Sequence, residues 1–159
     1  MSDMDLTLID AKLIEGCSCE RVTNEEALDI IELAKRMIEF CYKNGGVGLS
    51  APQVGVFKRM FVYRKTEDSF QVIINPEYIE LSKKKMKVLE SCMSYPNENF
   101  LVSRSRDIQA IYYEYDYKKK ELVRKGRELN GNKSIIFQHE TRHLDGNTIK
   151  TDGVPQING

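Results

Sequence analysis

Gln138-His139-Glu140-Thr141-Arg142-His143 decides how this chain of 159 residues is read, because the two histidines in the run are the only two in the sequence. Imidazoles four residues apart project from one face of an α-helix, where both can bind one metal ion. The carboxylate beside the first can act on water at that ion. His139 and His143 are therefore candidate ligands and Glu140 a candidate base, the pattern of a metal hydrolase. A helix is expected over 134–144, with Ile135, His139 and His143 on one face and Ile136 beside Glu140.

An open catalytic metal site usually takes three protein ligands. The residues after His143 contain no His, Glu or Cys. Asp145 lies too close on the same helix end to turn back onto the ion, and Asp152 follows Gly146 and Asn147 in what reads as a loose tail. A peptidase design with its third ligand downstream is thus disfavoured, and the ligand is expected upstream. There, Glu90-Ser91-Cys92-Met93-Ser94-Tyr95-Pro96 stands out because a cysteine follows an apolar, β-branched stretch and precedes a proline-bounded break. One thiolate with two imidazoles suits zinc or ferrous iron and leaves the site open, unlike a closed four-ligand structural zinc site. Alone, Cys92 reads first as a small buried hydrophobe, and the other motifs overturn that reading.

A third stretch is Gly46-Val47-Gly48-Leu49-Ser50-Ala51-Pro52-Gln53. Its glycines allow another backbone to approach closely, as an incoming peptide requires, and Gln53 can donate to a developing oxyanion. Neither a phosphate loop nor a dinucleotide fingerprint fits it.

In this order, GVGLSAPQ, ESCMS and QHETRH resemble the three signature blocks of the peptide deformylases, and the similarity runs from about residue 25 to residue 146. The resemblance implies hydrolysis of the formyl group from the N-terminal formylmethionine of nascent polypeptides, with release of formate. It implies Cys92, His139 and His143 as ligands of ferrous iron, for which Zn2+, Ni2+ or Co2+ can substitute. It also implies that Glu140 takes a proton from water at the ion and returns it to the leaving amine, while Gln53 and the backbone N–H of Met93 donate to the oxyanion. The methionine side chain is expected among Val47, Val88, Ile135 and Ile136. The peptide is expected to pair as an added strand along residues 47–49, with Gly48 and Ser91 at its backbone.

Some positions depart from the family pattern. Ser91 and Met93 flank Cys92 where the family usually has Gly and Leu, Ser50 replaces Ala, and Arg142 replaces an Asp before the second histidine, so a local ion pair is expected to be reversed or absent. Residues 148–159 contain Gly153 and Pro155 and no amphipathic run, so the further helix of long bacterial members is expected to be missing, as in compact members carried by phages. On that reading, removal from Gly153 onward leaves folding unchanged and ribosome contact is weak or transient.

Hydrophobic residues make up 41% of the chain and the formal net charge is zero. One domain over 1–159 is expected, a monomer with no electrostatic case for nucleic acid or an anionic membrane. The first residues, MSDMDLTLID, lack a signal core and a transit pattern, which points to the cytoplasm of a bacterium or a phage-infected host. Cys17 and Cys19 receive no role, and Lys83-Lys84-Lys85 and Lys118-Lys119-Lys120 read as solvated turns.

Thr23 and Glu26 make a capping box for a helix whose Ala27, Ile30, Ile31, Ala34, Met37, Ile38 and Cys41 recur at helical spacing before Gly45 and Gly46. Strand-like runs follow at 59–64, 70–75, 86–90, 107–115 and 121–127, the last two as a hairpin around Lys118. The fold class is α+β, with mostly antiparallel sheets around a central HExxH helix.

Overall fold

The computed structural model describes residues 6–156; residues 1–5 and 157–159, on which parts of the expected leaderless N-terminus and loose tail fall, lie outside the described residues. Helix α1 spans Ala27–Asn44, and the Thr23–Glu26 box expected to cap it closes the turn just before it. The Thr23 N–H donates to Glu26 Oε1 at 3.1 Å and the Glu26 N–H to Thr23 Oγ1 at 3.3 Å, which satisfies two N-terminal donors reciprocally. Gly45 ends the helix in the left-handed region at φ 70°. The stripe Ala27, Ile30, Ala34, Met37 and Cys41 is buried, and its last four residues pack in one cluster with Leu49, Met60, Val62 and Ile74.

The strands are β1 (Gly48–Ser50), β2 (Met60–Thr66), β3 (Ser69–Glu80), β4 (Lys85–Cys92), β5 (Tyr95–Ser105), β6 (Asp107–Asp116), β7 (Glu121–Asn130) and β8 (Gly153–Gln156). They form a five-stranded sheet in the order β1-β2-β3-β6-β7 and a three-stranded sheet β4-β5-β8. Every ladder within them is antiparallel. The hairpin expected around Lys118 is present between β6 and β7.

Helix α2, Asn132–Leu144, carries the HExxH run and packs against both sheets. Phe137 is fully buried with its ring 5.3 Å from that of Phe61 and 6.3 Å from that of Tyr112, which fixes one side against the larger sheet. On the other side Gln138 acts as a buried clamp: its Oε1 accepts from the Ser105 N–H at 3.0 Å and its Nε2 donates to the Ser105 carbonyl at 2.7 Å. A polar helix can lie this deep because its side chains find such partners.

Three parts of the chain differ from expectation. Strand β5 contains Pro96 and the polar run Asn97-Glu98-Asn99, which reads as a break; the ladder steps from Cys92↔Tyr95 to Glu90↔Phe100, so these residues bulge out, with Asn97 at φ 63°. Strand β3 continues past Pro76 by a register shift at Asn75, φ 50°, whose side-chain amide pairs with both backbone groups of Val22 at 2.8 and 3.0 Å. The expected loose tail is corrected: Thr148 caps a one-turn helix α3, Ile149–Asp152, and β8 then pairs with β5 from Val102↔Gly153 to Asn99↔Gln156. Side-chain hydroxyl capping and main-chain pairing supplied the order that an apolar stripe did not. Among the described residues no helix is long and apolar enough to cross a membrane.

Candidate active site

Strand alternation places Val88, Glu90 and Cys92 on the inner face of β4 and leaves Lys87, Leu89 and Ser91 exposed. Cys92 thereby meets α2 where His139 and His143 stand one turn apart. Among the described residues these three form a group whose ligand atoms lie within 4.8 Å of one another. His143 Nε2 is 3.1 Å from His139 Nε2 and 3.7 Å from Cys92 Sγ, so sulfur and two imidazole nitrogens face a common point.

This donor set fits a metal ion. One soft sulfur and two nitrogens, with the outer nitrogen of His139 held 2.6 Å from Glu90 Oε1, are what zinc or ferrous iron takes. Burial, with the charges of His139 and Arg104 nearby, pushes the His143 pKa well below 6.5, which keeps its imidazole neutral. Burial also works against a charged His139, but its hydrogen bonds with Cys92 and Glu90 and the charge of Glu140 outweigh that and raise it to about 10. A cation binding the same nitrogen must displace that proton.

Glu140 is buried, and its Oε1 has no hydrogen-bond partner among the described residues. Burial pushes its carboxyl up to about 7, so it can accept and return a proton near neutrality. Its other oxygen presses on β1: a Cβ at Gly48 would lie 2.5 Å from Glu140 Oε2. A Cβ at Gly46 would likewise lie 2.6 Å from the Met93 methyl carbon. Both glycines therefore make room for the protein's own side chains, beyond any room they give an incoming peptide.

Gln53 lies within a short 3₁₀ helix, Ala51–Val54, and its amide cannot turn freely. Its Oε1 accepts from the Ser50 N–H at 2.9 Å and the Ser50 hydroxyl at 3.0 Å, which directs Nε2 toward Ser94 Oγ at 2.9 Å and Cys92 Sγ at 3.5 Å. The cleft beside this group has a volume of about 300 Å³, and Val47, Gly48, Ser91, Met93, Ile135 and Ile136 are among the residues lining it. Val88 is not among them; it stands opposite Val102 in the β4–β5 ladder. Met93 lies in the turn between β4 and β5.

A family profile described as polypeptide deformylase matches residues 10–156. This chain belongs to the polypeptide deformylase family. A peptide deformylase of Natranaerobius thermophilus is 35% identical over 131 residues, covering 82% of this chain and 80% of that protein. The crystal structure of the Thermotoga maritima peptide deformylase superposes with a TM-score of 0.77 at 31% identity, covering 94% of this chain and 97% of that one. The structure of a probable peptide deformylase from synechococcus phage S-SSM7 gives a TM-score of 0.77 at 27% identity, covering 91% and 97%.

Within this family frame, four residues around the ligands escape the sequence reading: Ser50, Glu90, Ser94 and Arg104. Only Glu90 left a usable signal, since a residue two before Cys92 on a strand faces the same way. The expected reversal at Arg142 is also resolved, because Asp152 supplies its partner at 2.7 and 3.0 Å.

Proposed function

We propose that this metal-dependent hydrolase removes the formyl group from the N-terminal formylmethionine of nascent polypeptides and releases formate. Membership of the family carries the class of activity, and the observation that carries the site is the convergence of Cys92, His139 and His143 beside the buried Glu140 carboxyl. In this reading ferrous iron is the native ion and Zn2+, Ni2+ or Co2+ can replace it, supported by a mixed sulfur and nitrogen donor set. When bound, the ion supplies a Lewis acid that activates water and polarises the formyl carbonyl.

The chain's own groups do the rest. Glu140 takes the proton from the attacking water and hands it to the amine that leaves, a double use suited to a carboxyl raised to about 7. Gln53 Nε2–H, aimed by Ser50, and the backbone N–H of Met93 donate to the oxygen on which charge develops; one such donor is typically worth about 3 to 4 kcal/mol. The substrate's methionine side chain enters the cleft between Val47, Ile135 and Ile136, with Ser91 at its exposed rim. Its backbone adds to the free edge of β1, which ends the larger sheet, so residues beyond methionine are recognised mainly through main-chain pairing.

The same reading takes the chain as a compact, phage-like member of the family. It acts as a monomer in the cytoplasm of a bacterium or an infected host, meets the ribosome weakly or transiently, and has no nucleic-acid or membrane partner. Anaerobic incubation of the iron-loaded protein with a formyl-methionyl tripeptide and its acetyl-methionyl counterpart tests it. Formate from the first and no acetate from the second is expected; no formate would overturn the proposal.

A further inference from the structure

Five side chains make an unbroken series of contacts from the surface to a metal ligand. His139 Nδ1 lies 2.6 Å from Glu90 Oε1. Arg104 grips Glu90 with two forks, Nε to Oε2 at 2.9 Å and Nη2 to Oε1 at 3.0 Å. The remaining face of that guanidinium donates from Nη1 to Asp152 Oδ2 at 3.0 Å. Asp152 in turn accepts from Arg142 Nε at 3.0 Å and from Arg142 Nη2 at 2.7 Å. Side-chain exposure rises from 4% at Arg104 and 7% at Glu90 to 8% at Asp152 and 37% at Arg142.

We propose that Asp152 is a positioning residue for the metal centre, acting through Arg104 and Glu90 on the His139 ring. Two cations alternate with two anions along the series, so each buried charge is neutralised by a neighbour. Removing the Asp152 carboxylate leaves an Arg104 N–H buried without its partner, and a guanidinium so released no longer fixes the carboxylate that orients His139. The chain is built to bring Asp152 there. Gly153, next to it, pairs with Val102 on the strand that carries Arg104, and a Cβ at Gly153 would lie 2.7 Å from Val102 Cγ2 and 2.9 Å from the Leu101 carbonyl oxygen. A residue without a side chain is what lets the tail come this close. Arg142 closes the series on α2 itself, beside His143.

This inference rests on the Cys92, His139 and His143 site, and its test reads the metal apart from turnover. Wild type, Asp152→Asn, Asp152→Glu, Arg142→Gln and, as a control for tail packing, Ile149→Val are loaded with Co2+. Affinity is measured by chelator competition, the ligand field by visible absorption, and kcat and KM on a formyl-methionyl peptide. Asp152→Asn is expected to weaken Co2+ binding roughly 10- to 100-fold, shift the visible bands and lower kcat at unchanged KM, with partial recovery in Asp152→Glu. Arg142→Gln moves the same readouts in the same direction by less, and Ile149→Val lowers Tm without moving Co2+ affinity or spectrum. A folded Asp152→Asn with the wild-type affinity and spectrum overturns the proposal. Should that variant fail to fold, Arg142→Gln, at a half-buried position, decides: unchanged Co2+ affinity and spectrum then overturn it. If affinity falls in the variants while wild type releases no formate, the positioning role stands and the functional reading fails.

Discussion

Gly48 shows how one residue can serve the site in a way that sequence does not display. As a glycine in a run of small residues it reads as space for a substrate backbone, yet the group that comes closest is the Glu140 carboxylate, whose Oε2 a Cβ would meet at 2.5 Å. Gly48→Ala should therefore push the base aside without touching a ligand. We expect full metal content and a drop in kcat of about 100-fold, the usual effect of a displacement near 1 Å; metal analysis beside formate kinetics checks this, and wild-type kcat would contradict it. Cys92→Ala should lose metal and activity together, whereas Cys17→Ala and Cys19→Ala should keep the metal content of wild type by the same analysis. The ligands were legible because few residue types bind a transition metal and their helical spacing is fixed. Glu90 left a signal only in its strand spacing from Cys92, and Arg104 left none, because its pairing with Glu90 depends on strand register across the β4–β5 ladder.

At the scale of elements, α1 and the β6–β7 hairpin were legible from periodicity and capping, signals carried within each segment. Strands β5 and β8 were not, since their pairing partners are remote and Pro96, Gly153 and Pro155 argue locally against a strand. What secures the last elements is partly electrostatic. Burial alone would raise the Asp152 carboxyl, but the hydrogen bond from Arg142 and the charge of Arg104 outweigh it and hold the group below its ordinary 3.8. A depressed carboxylate stabilises the fold above its unfolded pKa, and that stability drains away as pH falls through the lower folded value. The Tm gap between wild type and Asp152→Asn should hence be constant from neutral pH down to about pH 4 and close below it. Thermal melts of both proteins across that range check this; a gap that widens with acid would reverse the sign.

On the scale of the whole molecule, α2 is the part both sheets share, and the site exists because that helix is pinned from two sides. Phe137, fully buried between Phe61 and Tyr112, anchors one of them, and Phe137→Ala should cost about 3 to 5 kcal/mol in chemical unfolding. A near-neutral result would show that the larger sheet is not what seats the helix. Ending the chain after Asp152 should lower Tm by several degrees, because β5 then loses its β8 partners, contrary to what the loose appearance of that tail in sequence suggests. Most directly, the account turns on Glu140 doing proton transfer beside an ion that it does not bind. Wild type and Glu140→Gln, both iron-loaded without oxygen and matched for metal content, are compared for formate release from a formyl-methionyl peptide. The account predicts equal metal and a loss of nearly all turnover in the variant; formate at the wild-type rate from Glu140→Gln would contradict it.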